Sequence, residues 1–285
     1  MAKILSGKIV SARVKDELKK EVEELSQRGK QTGLAVVLVG DDSASKVYVR
    51  NKEKACEEVG IYSEVHRLSE NTSEEELLKL INELNENDKI DGILVQLPLP
   101  KHLDDKVIID NIKPEKDVDA FHPSNVGKIM IGDYDFLPCT PAGIMELIHE
   151  SGVEVDGKTC VVIGRSNIVG KPMSMLLLHE NGTVTTCHSH TKNLAEVTKS
   201  ADILVAAVGI PKFVKADMVK PGAVVIDVGM DRDENGKLCG DVDFNEVEPV
   251  AGAITPVPGG VGPMTIAMLM NNVIKATRRQ NGMVD

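Results

Sequence analysis

Tryptophan is absent from the 285 residues, and phenylalanine and tyrosine occur only four and three times. A tyrosine at a promising position is therefore a rarity in this chain. An excess of positive charge is also missing. The formal net charge is −11, which excludes a nucleic acid or an anionic membrane held by a broad basic surface, although local basic residues can still hold an anionic substrate. No stretch approaches the ~18 apolar residues of a membrane span, and the start, Met1-Ala-Lys-Ile-Leu-Ser-Gly-Lys-Ile-Val10, lacks the continuous apolar core of a signal peptide. A soluble, cytoplasmic protein is expected. The five cysteines, Cys56, Cys139, Cys160, Cys187 and Cys239, form no Cys-x-x-Cys pair, which removes the common zinc and dithiol motifs. Reduced thiols and no metal site are expected. A hydrophobic content of 42% over this length suffices for about two domains, each with its own core.

The chain is organised around Gly40–Gly60. Before it, Leu34-Ala-Val-Val-Leu-Val39 reads as a buried strand. The helix expected to follow can be capped by Asp42 or Ser43, and Gly60 supplies its exit. Ser45, Tyr48 and Lys52 stand three and four residues apart, so a hydroxyl, a phenol and an amine rise from one face in consecutive turns. Lys46, Arg50, Glu53, Lys54, Glu57 and Glu58 surround Lys52, and a lysine in such company is ordinarily a solvated helix charge. Two features argue the other way. The helix follows the C-terminal end of a parallel-type strand, where open α/β sheets place their ligand crevices, and Tyr48 is one of the three tyrosines.

In chain order, apolar spacing predicts a first helix over 8–28, the strand 34–39, the helix carrying Ser45–Lys52, and a strand over 61–68. A helix over about 73–86 opens with a capping-box pattern of Thr72 or Ser73 with Glu75 or Glu76. The run 92–100 reads as a buried strand stopped by Pro98 and Pro100. Gln96 within it is either a hydrogen-bonded core residue or a positioning group in a crevice. A short helix is expected over 104–112. Residues 113–123 form a charged loop in which Asp117 and Asp119 can simply be solvated. Thr140-Pro141 starts a helix, and the domain junction lies nearby.

The second half alternates strands and helices: strand 159–163, helix 169–180, strand 183–187, helix 194–200, and strands 203–208 and 223–228. Such alternation implies right-handed βαβ units and a parallel sheet, a doubly wound nucleotide-binding architecture. In its first strand-to-helix turn, Ile163-Gly-Arg-Ser-Asn-Ile-Val-Gly-Lys-Pro172, a diphosphate would meet helix N-terminal amides. The turn is not a G-x-G-x-x-G, since Ser166 and Val169 replace two glycines. Gly164 and Gly170 can equally be there for backbone reasons alone. About 20 residues on, where an NAD enzyme carries a ribose-binding acid, the chain reads Cys187-His-Ser-His-Thr191, with no carboxylate.

Six motifs together, Ser45-x-x-Tyr48-x-x-x-Lys52, Val95-Gln-Leu-Pro-Leu-Pro100, Pro114-Glu-Lys-Asp-Val-Asp119, Leu137-Pro-Cys-Thr-Pro141, Val162-Ile-Gly-Arg-Ser166 and Pro258-Gly-Gly-Val-Gly-Pro-Met-Thr265, resemble the bifunctional methylenetetrahydrofolate dehydrogenase/cyclohydrolase family over nearly the whole chain. The resemblance implies an α/β fold of two domains flanking a cleft, the second a Rossmann-like doubly wound parallel sheet. The first domain would span 1–138, completed by a C-terminal helix over 265–285, and the second 139–264. It implies a homodimer acting on tetrahydrofolate derivatives, with NADP oxidising 5,10-methylene-tetrahydrofolate to the methenyl cation and hydrolysis then giving 10-formyl-tetrahydrofolate.

Carried over residue by residue, the resemblance implies that Lys52 is the key catalytic group, oriented by Gln96. Tyr48 would stack on the folate, Asp119 would bind the pterin's amino edge, and Ser45 would support them. Pro258, Gly259, Gly260, Val261 and Gly262 would line the folate site, and Gly164, Arg165, Ser166, Gly170, Ser189 and Met230 would hold the cofactor. The chemistry suits these residues. Water attack on a cationic carbon needs a base near neutral pH, and burial with like-charged neighbours lowers a lysine toward that range. A carboxylate can accept two N–H bonds from a guanidine-like edge. Glycines let the backbone approach a flat ligand closely.

Two positions depart from the family's pattern: Ala120 replaces a glycine common after Asp119, and His190 a lysine common near the cofactor phosphate, leaving Arg165 and Ser189. An NADP-dependent dehydrogenase of the shikimate type shares the two-domain plan and a catalytic lysine but needs no Pro258–Thr265 cluster. A non-enzymatic folate-binding protein would have no need of Lys52 and Gln96.

Overall fold

The computed structural model of the chain describes residues 1–283. It separates into two compact units, one formed by Met1–Ala12 with Thr140–Thr265, the other by Arg13–Cys139 with the chain from Ile266 onward.

The unit that contains Lys52 is built on three parallel strands in the order Tyr62–Leu68, Gly33–Val39, Gly92–Val95. The central strand is buried along its whole length, as its run of aliphatic residues requires. On one face Ala35, Val37, Val39, Ile93 and Val95 pack with Leu77, Ile81 and Leu84 of the helix Glu74–Asn85. That helix begins with a capping box between Ser73 and Glu76: Glu76 N donates to Ser73 Oγ at 3.2 Å and Ser73 N to Glu76 Oε2 at 2.9 Å. The strand expected over 92–100 ends at Val95, and Gln96 N makes the next bond, to Val37 O at 2.9 Å.

The C-terminal helix Val261–Gln280 begins four residues before the expected 265. From Ile266 onward it belongs to this unit and buries Met268, Leu269, Met270, Val273 and Ile274. Gln280 Nε2 fixes its far end by donating to Asp91 O at 2.8 Å.

The turn after Lys113 contains the largest departure from the sequence reading. Asp117 is 2% exposed, not solvated, because its carboxylate accepts from His122 N and Asn125 Nδ2, both at 2.8 Å. A helix not expected from the sequence, Pro123–Ile131, follows. It is capped by His122 Nδ1, which accepts from Ser124 N at 3.1 Å, with proline in its first turn. Ala120 is fully buried and left-handed, with φ 57°. That conformation costs an L-residue roughly 1–2 kcal/mol. Glycine would relieve the cost but lose about 0.4–1 kcal/mol through unfolded-chain entropy and about 0.8 kcal/mol of methyl burial. The terms nearly cancel, so alanine is tolerated where glycine is common.

The second unit holds six parallel strands in the order Lys3–Ile4, Ala253–Ile254, Val224–Asp227, Ile203–Ala206, Thr159–Ile163, Thr183–Cys187. The chain leaves Thr159–Ile163 toward Thr183–Cys187 and then returns to the other side of Thr159–Ile163, which makes the carboxyl ends of Thr159–Ile163 and Ile203–Ala206 a topological switch point. Helices such as Gly170–His179 connect the strands, giving the doubly wound arrangement. Met1–Ala12, expected in the first domain, packs with this unit. Lys3 N donates to Gly252 O and Leu5 N to Ile254 O, both at 2.8 Å, and a two-residue strand is too short to show periodicity in sequence. The hairpin of Asp231–Arg232 with Leu238–Cys239 also went unanticipated.

Deleting the chain after Gly262 is expected to leave no soluble folded protein. Five large side chains buried by the C-terminal helix, at about 1.5–3 kcal/mol each, match the roughly 5–15 kcal/mol of net stability typical of a native protein. Circular dichroism and size-exclusion chromatography check this: a soluble truncated chain that unfolds cooperatively would contradict it.

Candidate active site

The helix Ser43–Val59 starts where Asp42 accepts from Ser45 N at 2.7 Å and ends at Gly60 in the left-handed conformation. Three and four residue steps place Ser45, Tyr48 and Lys52 along one side. Ser45 and Lys52 are buried and Tyr48 half-buried. Lys52 is 7% exposed, which decides against a solvated helix charge. Its Nζ donates to Gln96 Oε1 at 3.0 Å, and Gln96 Nε2 donates to Leu97 O at 2.7 Å. The amide of Gln96 is thus held at one end by backbone and presents its oxygen to the amine.

Burial pushes the Lys52 ammonium below the usual lysine range, and the negative charge of Asp119 opposes that shift, with smaller opposition from Cys139 and Cys56. Burial pushes the Asp119 carboxyl up, while Lys52 and the Cys139 thiol hold it down. The single S–H of Cys139 lies 3.5 Å from both Asp119 Oδ1 and Val118 O and is shared between them. Its own pKa is well above the usual thiol value, chiefly through burial, so it acts as a neutral donor. The Tyr48 phenol is also pushed up by burial. Lys52, Gln96, Asp119 and Tyr48 therefore give an amine that holds its proton less tightly than an ordinary lysine, an amide hydrogen-bonded to it, a carboxyl with acceptor capacity and a neutral phenol.

Two participants were missed in the sequence. Cys139 stood inside a quoted motif without a role. Asn272, 2% exposed on the C-terminal helix, donates from Nδ2 to Val118 O and Leu137 O, both at 2.8 Å, and approaches Cys139 Sγ at 3.6 Å. An asparagine within the apolar helix face was the available signal, since a buried amide must find partners.

The remaining expected residues lie in the other unit. Gly164 and Arg165 leave the strand Thr159–Ile163 at the level of Cys187, two residues before Ser189, since Ile163 registers with Cys187 and Gly164 N donates to Cys187 O at 2.9 Å. Arg165, Ser166 and Ser189 are exposed. A methyl group on Gly170 would lie 2.2 Å from Gly164 O, so this glycine is required by the turn itself. The amides of Val169 and Gly170 donate to Ser166 Oγ at 3.1 and 3.3 Å. Part of the donor set available to an anion is therefore already engaged. His190 is exposed, and its backbone N donates to His188 Nδ1 at 3.2 Å.

Met230 and Pro258–Gly262 line one small pocket with Asp227 and Gly229. The close approaches that Gly260 allows are to Pro256 O and Thr255 Cβ, whereas the space beside Gly262 is open. Asp227, another polar residue at a strand's end that the sequence reading passed over, accepts from Asp241 N at 2.8 Å and from Gly229 N and Val242 N at 3.0 Å. Burial nevertheless raises its carboxyl to about 7. Its folded state favours the proton, so the stability it contributes at low pH is lost as pH rises from the ordinary carboxylate range to about 7. Among the described residues no group of three or more histidine, cysteine or acidic side chains could hold a metal ion, and no helix is long and apolar enough to cross a membrane.

Comparison with known proteins places these features in a family. Residues 5–119 match the family model for the tetrahydrofolate dehydrogenase/cyclohydrolase catalytic domain, and residues 138–281 that for its NAD(P)-binding domain. The bifunctional protein FolD of Acetivibrio thermocellus is 64% identical over 279 residues, covering 98% of each chain. The crystal structure of the bifunctional FolD of Campylobacter jejuni superposes with a TM-score of 0.95 at 50% identity, covering 98% of this chain and 100% of that one. The Trypanosoma brucei enzyme, solved with NADP and an inhibitor, gives 0.94 at 40% identity, covering 98% of each. A shikimate 5-dehydrogenase from Thermus thermophilus, at 0.54 and 14% identity with 86% of this chain and 99% of that one covered, shares the fold alone. The chain belongs to the tetrahydrofolate dehydrogenase/cyclohydrolase family.

Proposed function

We propose that the chain oxidises 5,10-methylenetetrahydrofolate to the 5,10-methenyl cation with NADP and then hydrolyses the cation to 10-formyltetrahydrofolate. The observation that carries the assignment of residues is the burial of Lys52 against Gln96 beside Asp119. NADP, when bound, supplies the acceptor for the hydride. Asp119 anchors the pterin through its amino edge, Tyr48 stacks on the folate, and Ser45 supports the helix face. Pro258, Gly259, Gly260, Val261 and Gly262 line the folate site. In the second reaction Lys52, held by Gln96, takes the proton from water attacking the methenyl carbon. Its lowered pKa keeps more of the amine in the basic form.

Gly164, Arg165, Ser166, Gly170, Ser189 and Met230 are assigned to the cofactor. The fit rests on the strand-end position of Gly164 and on Arg165 leaving the sheet at the level of Cys187, two residues before Ser189. Arg165 would pair with the 2′-phosphate, and no acid in Cys187–Thr191 competes for a 2′-hydroxyl.

Homodimerisation is part of this proposal. It is supported by the edge strand Thr183–Cys187, whose only sheet neighbour among the described residues is Thr159–Ile163 and whose Thr183, Thr185 and Thr186 are exposed. Sedimentation equilibrium is expected to give twice the chain mass, and Val184→Pro, at a position whose N–H faces the free edge because Thr183 and Cys187 bond toward Thr159–Ile163, to shift the protein toward monomer. A monomeric unmodified protein would refute the dimer.

Lys52→Met keeps much of the side chain's bulk and removes the base. Hydration of methenyl-tetrahydrofolate is expected to fall by ~10²–10⁴, with a smaller loss of dehydrogenase activity and folate affinity largely retained. The two half-reactions, followed at separate wavelengths on the folded variant, check this, and undiminished hydration would remove Lys52 from the mechanism.

Arg165→Ala is expected to narrow the preference for NADP over NAD. A charge-assisted bond of about 1.5–3 kcal/mol corresponds to roughly ten- to a hundredfold in the ratio of kcat/KM values. Equal use of the two cofactors by the unmodified protein would defeat the assignment.

A further inference from the structure

We infer that Asn272, which is assigned no contact with substrate or cofactor, is a positioning residue for Asp119 and, through Asp119, for the reactivity of Lys52. The inference rests on the roles proposed above for those two residues.

The geometry is specific to Asp119. The two N–H groups of the Asn272 amide have two backbone carbonyls at 2.8 Å, Val118 O and Leu137 O, with Cys139 Sγ farther away at 3.6 Å. Val118 O belongs to the peptide that leads into Asp119, so the first bond sets the plane from which the Asp119 side chain departs. Leu137 O lies two residues before Cys139, whose thiol donates to Asp119 Oδ1 at 3.5 Å. One buried amide thus fixes both the backbone behind the carboxylate and the segment carrying the carboxylate's thiol donor. On the far side of Asp119 the backbone is held left-handed at Ala120. Without the Asn272 bonds, Leu137 O would lose this donor and Val118 O would keep only the weak Cys139 thiol at 3.5 Å, and the peptide would rotate to find a better partner.

The groups that act electrostatically on Lys52 are Asp119, Cys139 and Cys56, with Gln96 as its hydrogen-bond partner and Tyr48 one helical turn before it. Burial raises both thiols above their usual range, which leaves Asp119 as the main charge opposing the effect of burial on Lys52. If Asp119 turns away, that opposition weakens and the lysine's pKa falls further. The basic form then persists to lower pH. The acid limb of the hydration pH–rate profile moves down, while a variant that is only less stable loses amplitude without moving the limb.

The test uses the full-length protein carrying Asn272→Leu, which has similar volume and no donor. The acid limb of hydration is expected to shift down by roughly half to one pH unit, part of the 1–3 units that a nearby opposite charge exerts. The KM for the folate is expected to rise several-fold because Asp119 also anchors the pterin. Asn85→Leu is the control: Asn85 is a buried asparagine that also joins two segments, through Asn111 O at 2.8 Å and Lys113 N at 3.0 Å. It is expected to leave the limb in place. If Asn272→Leu does not fold, Asn272→Ser, which retains one donor, decides the matter by a smaller shift in the same direction. An unmoved limb, or an equal shift in Asn85→Leu, overturns the inference. Lys52→Met measured alongside separates the two levels: lost hydration in Lys52→Met with an unmoved limb in the folded Asn272 variant overturns this inference alone, whereas undiminished hydration in Lys52→Met overturns it together with the reading beneath it.

Discussion

The constraint on which the candidate site depends is the removal of one ammonium group from water. Burying a charge is costly unless it is paired and hydrogen-bonded, and Lys52 receives one amide oxygen and the field of one carboxylate. That is too little to hold the ammonium at its ordinary pKa, but enough to keep the side chain in place. The surroundings serve that balance. Asp42 caps the helix that carries Lys52, and the strand Gly92–Val95 ends one residue before Gln96, whose amide is steadied by Leu97 O. A stronger partner for Lys52 would make a more stable ion pair and a poorer base.

Asp119 shows the same compromise from the opposite sign. It sits in a turn whose neighbours are committed to structure: Asp117 collects the amides of His122 and Asn125, Val118 is fully buried and Ala120 takes the left-handed conformation. Asp119 alone in the run Asp117–Ala120 remains partly exposed. Among the described residues its one hydrogen-bond donor is a thiol, a weak donor that leaves acceptor capacity for a ligand. Two aspartates two residues apart, indistinguishable as loop charges in the sequence, thus differ: Asp117 is taken up by the scaffold, and Asp119 keeps acceptor capacity.

What the sequence revealed and what it hid follow from the range of the interactions involved. Local signals were legible: the strand Thr159–Ile163, the exit at Gly60 and the capping box at Ser73 are each determined within a few residues. Helical spacing and a polar residue in an apolar run are local too, and they made Ser45, Tyr48, Lys52 and Gln96 candidates, whereas their roles came from the family resemblance. The burial of Asp117, the attachment of Lys3–Ile4 to Ala253–Ile254 and the reach of Asn272 to Val118 each join positions whose partners no local pattern identifies. Pro123–Ile131 was hidden for another reason: Val126, Met130 and Ile131 are exposed, so its apolar residues do not trace the buried face that periodicity is used to find.

Both units use one further device, a polar side chain at or just beyond the carboxyl end of a buried strand. Gln96 follows Gly92–Val95 and meets an amine; Asp227 closes Val224–Asp227 and gathers three backbone amides. Asp241, whose own amide is one of those three, accepts from Val208 N at 2.7 Å and Ile210 N at 2.8 Å, so the loops leaving two neighbouring strands, Ile203–Ala206 and Val224–Asp227, are tied to one another through carboxylates. Loop backbone that leaves a sheet has lost its ladder partners and must find others. Side chains fixed in the sheet or beside it supply them here, so the strand-end backbone keeps definite partners beyond the ladder. In an open parallel sheet the strand ends are where a ligand is met, and a ligand held by preordered backbone does not have to offset the entropy of ordering it.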